Sequence, residues 1–102
     1  MGAVAAVRTF AADEGEGGTA DYDLGAALKA LNGVYYGECS VPSAGKLAIT
    51  FAPNGHVKKV AVLKGDYDEA TTTCISARFA SAKMPPFRGG DQLLTADVVA
   101  TR

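Results

Sequence analysis

The sequence predicts an α+β domain in which an antiparallel three-stranded sheet packs on a long helix. Gly45 to Phe51 alternates apolar and polar residues, as half-buried strands do, and Val57 to Leu63 is rich in β-branched residues. Helical spacing of apolar residues then runs from about Glu69 to Lys83, and a strand pattern returns at Gln92 to Thr101. The expected order is therefore strand, strand, helix, strand (a ββαβ core), preceded by an extra helix.

Length and charge limit the classes of function. The chain has 102 residues, of which 48% are hydrophobic, so it can form one domain with its own core. Its formal net charge is −1, which gives no broad attraction to nucleic acid or to anionic lipid. We therefore expect no nucleic-acid partner. No apolar run approaches the roughly 20 residues that span a bilayer.

The first residues differ in character from the rest. Ala11 to Gly18 is acidic and rich in glycine, which is typical of a flexible linker. Ala3 to Phe10 is apolar enough either to add a short strand or to rest on the domain. We expect residues 1–20 to form a flexible N-terminal segment and residues 21–102 to form the domain.

A short helix is expected directly after this segment. Asp21-Tyr22-Asp23 offers an N-cap, and Asn32-Gly33 offers a stop. Between them, apolar residues recur at helical spacing at Leu24, Ala27, Leu28 and Leu31. One face of this helix should therefore pack on the sheet.

Turn and cap residues set the limits of the central elements. Pro53-Asn54-Gly55 predicts a tight turn between the first two strands. Val57 is out of phase with Val60 and Val62, which predicts a bulge near that turn. Asp68 is a candidate cap for the long helix, and the prolines after Met84 should end it. The apolar stripe of this helix comprises Cys74, Ile75, Phe79 and Ala82.

Two cysteines leave two interpretations open. Cys39 and Cys74 match neither a CxxC redox motif nor a four-ligand zinc pattern. They are either two unrelated buried thiols or a disulfide between the segment before the first strand and the long helix. A disulfide would indicate an oxidising compartment.

The sequence lacks the common motifs of catalytic, phosphate-binding and metal-binding sites. The sequence contains no phosphate-binding glycine loop, no nucleophile elbow and no paired histidine or cysteine ligands. His56 is the only histidine, and no partner nucleophile is signalled beside it. Asp66, Asp68 and Glu69 lack the spacing of a calcium-binding loop. We therefore expect no catalytic residues, no metal ligands and no cofactor.

Several motifs in a fixed order resemble those of a known family. The order is Cys39, then Gly45-x-Leu-x-Ile-x-Phe, Asn54-Gly55-x-Val-x-x-Val, Cys74-Ile75, Met84-Pro85-Pro86, Gly89-Gly90 and a closing strand. It resembles the TonB C-terminal domain, and is most similar to the variant in myxobacterial gliding-motility proteins of the AgmX/PglI (GltJ/GltG) type. Met84 stands where that variant has an aromatic residue. The resemblance covers about residues 24–102.

The resemblance implies a function in energy transduction across the cell envelope. Family members are periplasmic domains of proteins anchored in the inner membrane, and they transmit force from a proton-driven motor to outer-membrane partners. It implies a Cys39–Cys74 disulfide, a periplasmic location and an outer-membrane or periplasmic protein of the same machine as the partner. It also implies that the domain can form homodimers by exchanging strands.

A free strand edge provides a physical mechanism for such binding. Its unpaired N–H and C=O groups can accept an extended segment of a partner, an interaction called β-augmentation. We expect the docking edge to be the last strand, because it ends the sequence. The residues expected at this edge are Leu93, Thr95, Asp97, Val99 and Thr101.

Two other interpretations stay open. A small secreted enzyme or inhibitor-like domain would act through the loops Pro53–His56 and Pro85–Gly90, and a pocket lined by Tyr35, Tyr36 and His56 would favour it. Alternatively, the domain is purely structural, and its own N-terminal segment blocks the strand edge.

Overall fold

A computed structural model of the chain describes residues 7–10 and 17–101. These residues form an α+β domain with an antiparallel four-stranded sheet and two helices. The elements in chain order are β1 (Val7–Thr9), α1 (Leu24–Asn32), β2 (Gly45–Phe51), β3 (Val57–Lys64), α2 (Glu69–Ala80) and β4 (Gln92–Val98). A short 3-10 turn, Gly37–Cys39, lies between α1 and β2.

The sheet is larger than the sequence predicts. Its strand order is β1-β3-β2-β4, so β2 and β3 are central and β1 and β4 lie at the two edges. The predicted three-stranded sheet is therefore wrong by one strand. The additional strand is β1, in which Arg8 lies opposite Val60 of β3.

The N-terminal residues belong in part to the folded domain. Because β1 lies within residues 1–20, the expected boundary at residue 20 does not separate these residues from the sheet. Farther along, the N–H of Gly18 donates to the carbonyl of Phe87 at 3.1 Å. A Cβ on Gly18 would meet the carbonyl oxygen of Pro86, so this close approach requires glycine. Most of the predicted linker, residues 11–16, lies outside the described residues.

Both helices begin at the predicted caps. The Oδ1 atom of Asp23 accepts a hydrogen bond from the N–H of Ala26 at 3.1 Å, and Asp68 does the same for Thr71 at 2.7 Å. Each carboxylate thus satisfies a donor that the first turn leaves unpaired, and it complements the helix dipole.

The second helix is shorter than predicted. α2 ends at Ala80, whereas the apolar stripe suggested an end near Lys83. Ser81 is the C-cap residue, and its hydroxyl donates to the Arg78 carbonyl at 2.6 Å. The chain then turns toward the β2–β3 hairpin, where the N–H of Met84 donates to the Gly55 carbonyl at 3.0 Å. The backbone of Lys83 consequently forms an isolated antiparallel β-bridge with that of His56 instead of continuing the helix.

The hairpin between β2 and β3 has the predicted turn and bulge. Gly55 has a φ of +89°, a conformation that glycine adopts without steric cost. The register shifts between Thr50 and Phe51, where Val57 enters the core. The predicted bulge near the turn is therefore confirmed.

The core lies between one face of the sheet and the two helices. Residues from every strand except β1 and from both helices form one buried cluster, whose largest fully buried members are Phe51, Phe79, Phe87, Leu47, Ile49 and Ile75. The ring of Tyr22 packs edge-on against Phe87 at a centroid distance of 5.1 Å. Alternate strand residues such as Lys46 and Lys59 are exposed on the opposite face of the sheet.

Candidate functional site

The edge strand β4 is the candidate site. It pairs along its whole length with β2, and Thr95 lies opposite Ala48. In the part of the chain that the structure describes, no strand pairs with the outer side of β4. The sequence-based prediction that the last strand lies at an edge of the sheet therefore agrees with the strand order.

The backbone N–H and C=O groups of successive β4 residues point alternately toward β2 and away from it. Just beyond β4, the N–H of Val99 points away from β2 and donates to the phenol oxygen of Tyr36 at 3.0 Å. Neighbouring residues of an antiparallel strand direct their N–H and C=O groups to opposite sides. Leu93, Thr95 and Asp97 share the direction of Val99. Their backbone groups therefore form the outward row that an additional strand would pair with.

The end of the predicted edge is closed by the chain itself. β4 ends at Val98, so Val99 and Thr101 are not part of the strand, which is a correction to the predicted Gln92–Thr101. The N–H of Thr101 donates to the Val41 carbonyl at 2.9 Å, and the N–H of Val41 donates to the Thr101 hydroxyl at 2.8 Å. The backbone donors of Val99 and Thr101 are thus already bound within the domain. The open part of the edge is limited to Leu93, Thr95 and Asp97.

The side chains of β4 divide between two faces of the sheet. Leu94 and Ala96 pack against the core, whereas Leu93, with 66% of its surface exposed, lies on the opposite face. Thr95 and Asp97 are exposed as well. The Asp97 carboxylate lies 3.9 Å from the Lys46 amine, the long end of an ion-pair distance, and stays largely in solvent.

A groove runs beside β4 on the core side. It has a volume of about 280 Å³ and lies between α1 and the strand. Its apolar lining comes from Leu28, Leu31, Val34, Tyr36, Phe79 and Ala96, and its polar lining from Asn32, Thr95 and Asp97. Leu28 remains 42% exposed there. The groove is slightly smaller than most pockets for small molecules, which hold roughly 300–1,000 Å³.

The opposite edge of the sheet is covered by the N-terminal strand. β1 pairs with β3, and the N–H of Phe10 extends this pairing by donating to the Lys58 carbonyl at 2.8 Å. Arg8 forms an ion pair with Glu69 at 2.8 Å. The described N-terminal segment therefore covers the edge of β3 and leaves β4 open.

The two cysteines form the disulfide that the resemblance implied. Cys39 and Cys74 are bonded, with their Cα atoms 5.6 Å apart. The bridge joins the 3-10 turn to α2 and thereby holds the segment that carries Tyr36. The Tyr36 ring packs on Phe79 of α2 at a centroid distance of 5.5 Å. Both rings line the groove.

The loops proposed for an enzyme or inhibitor contact one another. The N–H of Phe87 donates to the Pro53 carbonyl at 2.8 Å. Of the three residues named for a pocket, Tyr36 lines the groove, but Tyr35 and His56 are not among the lining residues. Tyr35 is 67% exposed. The structure therefore does not assemble these three side chains around the groove.

The groove itself was missed in the sequence. The helical spacing of Leu28 and the large ring of Tyr36 are equally typical of core residues, so neither residue by itself indicates a groove. A signal was present, because α1 carries more leucines than its buried face needs. Leu28, which lines the groove, is 42% exposed although its spacing places it on the apolar face of the helix. Such a wide apolar face indicates an unpartnered surface.

Comparisons with known proteins leave the family open. No protein-family model, no curated protein and no solved structure matches the chain. Among the described residues, no cluster of histidine, cysteine, aspartate or glutamate is placed to hold a metal ion. No helix in those same parts of the chain combines the length and apolarity that crossing a bilayer requires.

Proposed function

We propose that the chain is a protein–protein interaction domain that binds an extended segment of a partner along the free edge of β4. The observation that carries this proposal is the outward row of backbone groups at Leu93, Thr95 and Asp97 beside an open groove. An extended peptide supplies donors and acceptors at the matching spacing of a strand. The domain then acts by binding and has no catalytic role.

The biological setting comes from the resemblance. We propose a fold like that of the TonB C-terminal domain and a place in an envelope-spanning machine for energy transduction or gliding motility. The partner is then an outer-membrane or periplasmic protein, and the parent protein is anchored in the inner membrane. The Cys39–Cys74 disulfide supports an oxidising compartment such as the periplasm.

The binding site is tested by a peptide titration with the full chain. The probe is the capped hexapeptide acetyl-Ser-Lys-Leu-Thr-Val-Thr-amide, whose Thr and Val residues favour an extended backbone. We expect amide NMR shifts at Leu93, Thr95 and Asp97. Shifts confined to other parts of the domain, or none at millimolar peptide, would contradict the proposed function.

A proline pair provides the matched control. Thr95→Pro removes an outward N–H of β4 without removing a bond to β2, so the fold should persist while binding is lost. Thr9→Pro makes the same change on the outward side of β1 and should leave binding intact. Equal binding by both variants would show that the β4 edge is not used.

The cellular setting needs a separate experiment. In cells that produce the parent protein, we expect this domain in the periplasmic fraction with both cysteines resistant to maleimide until a reductant is added. Thiols that react without reduction would contradict the proposed location and leave edge binding unaffected.

A further inference from the structure

The groove beside β4 lies where alternate side chains of an added strand would point. A strand added to the outer side of β4 would direct alternate side chains to the core side of the sheet and the others to the open side. Residues opposite Ala96 and Leu94 would therefore lie over the groove. Residues opposite Leu93, Thr95 and Asp97 would lie on the open face.

The lining of the groove indicates what it accepts. Leu28, Leu31 and Phe79 form apolar walls, and the exposed part of Leu28 is surface that an inserted apolar side chain would remove from water. The volume of about 280 Å³ suits one or two side chains. An aliphatic residue opposite Ala96 would fill the groove, whereas a polar residue there would lose its hydration.

On the open face of the sheet, the charge of Asp97 favours a basic residue in the bound segment. Asp97 has the only acidic side chain among the outward-directed β4 residues, and 82% of that side chain is exposed. Its ion pair with Lys46 is long, at 3.9 Å, so the carboxylate retains capacity for a second cation. A basic residue directly opposite Asp97 would complement it, as opposite charges do across strands.

A second copy of this chain fits the groove less well. In a β4-to-β4 pairing, the residues that point to the core side are Leu94 and Ala96 of the second copy. These side chains already pack in their own core, so they cannot enter the groove. The side chains of an isolated extended segment are not packed in a core of their own, so they are free to enter the groove.

We infer that the partner segment is an extended peptide with a basic residue opposite Asp97 and an aliphatic residue opposite Ala96, the latter inserted between α1 and β4. In an antiparallel pairing these residues are consecutive, basic then aliphatic. This inference rests on the proposed function, since it requires binding at the β4 edge.

Variants of the same hexapeptide test the two side chains. Replacing its leucine with serine should weaken binding to the full chain about tenfold, which corresponds to a loss of about 1.4 kcal/mol of aliphatic burial. Replacing its lysine with glutamate should weaken binding about threefold at low salt, and Asp97→Lys should restore that loss.

Two exposed leucines of α1 provide the matched protein control. Leu28→Lys places a charge in the groove and should weaken binding of the leucine peptide about tenfold. Leu24→Lys makes the same change on the same helix outside the groove lining and should leave affinity unchanged. Amide spectra of both variants report whether the fold is retained.

The outcomes separate this inference from the proposed function. If the leucine and serine peptides bind with equal affinity and both shift the β4 amides, edge binding is supported but the inserted aliphatic side chain is contradicted. If no peptide shifts those amides, the proposed function and the inference are both contradicted. If the β4 amides shift with protein concentration in the absence of peptide, a second copy occupies the edge and the inference is wrong.

Discussion

The phenol oxygen of Tyr36 accepts a hydrogen bond from the backbone N–H of Val99 at 3.0 Å, and this bond marks where the open edge of β4 ends. On the β4 side of this point the outward backbone groups have no strand partner among the described residues. Beyond it, they bind within the domain. Tyr36 also lines the groove, so one residue both marks the end of the open edge and contributes to the groove.

Removing this hydroxyl tests the relationship. Tyr36→Phe keeps the ring on Phe79 but leaves the Val99 N–H without its acceptor, so we expect a loss of about 1 kcal/mol in the free energy of unfolding. Amide exchange at Val99 should become faster. Tyr35→Phe is the control, because Tyr35 is largely exposed. Equal stability of the two variants, with Val99 still protected, would show that the bond contributes nothing.

The disulfide should account for a large part of the stability. It closes a loop with a sequence separation of 35, and in the chain-entropy model a loop of that size contributes about 4 kcal/mol by restricting the unfolded chain. Urea unfolding of the oxidised and reduced protein measures the difference. The double variant Cys39→Ala, Cys74→Ala should behave like the reduced protein. A difference below about 1 kcal/mol would contradict the entropic account.

Stability should fall in alkali in a way that depends on Tyr67. Burial raises the pKa of Tyr67, and the nearby Tyr36 adds to the rise. The Tyr67 hydroxyl donates to the Ser43 carbonyl at 2.9 Å. Because the pKa is higher in the folded than in the unfolded state, the stabilisation is full below about pH 10 and is lost as the pH rises through the folded value.

Unfolding in urea at pH 8 and pH 11 checks this sign. The wild-type protein should lose more stability between the two values than Tyr67→Phe does, since the variant has no phenol to ionise. Tyr35→Phe again serves as the control for removal of a phenol. A larger loss in Tyr67→Phe than in the wild-type protein would reverse the expected linkage.

Local signals predicted the central elements well. Asp23 and Asp68 cap the two helices, and the Pro53-Asn54-Gly55 turn joins β2 to β3, because caps and turns depend on a few neighbouring residues. The strand predicted from Gln92 is also present, as β4. One face of that strand is buried and the other is exposed, so its pattern is unambiguous.

Features set by distant contacts could not be predicted. The apolar run Ala3–Phe10 leaves open whether a short strand forms there, and the pairing of β1 with the edge of β3 decides it. The end of β4 is set by Tyr36 and Val41, which are far away in sequence. The groove likewise arises where α1 and α2 meet β4. The surplus of leucines on α1 indicates an unpartnered face, but only the positions of α2 and β4 decide that Leu28 lines a groove.

Amide hydrogen exchange along β4 in the free, full chain tests the central claim most directly. The N–H groups of Leu94 and Ala96 face β2, and they should exchange at least about a hundredfold more slowly than those of Leu93, Thr95 and Asp97. That alternation would show that the outer edge of β4 is open and able to receive another chain. Uniform slow exchange across all five residues would mean that the edge is already paired, and it would contradict the account.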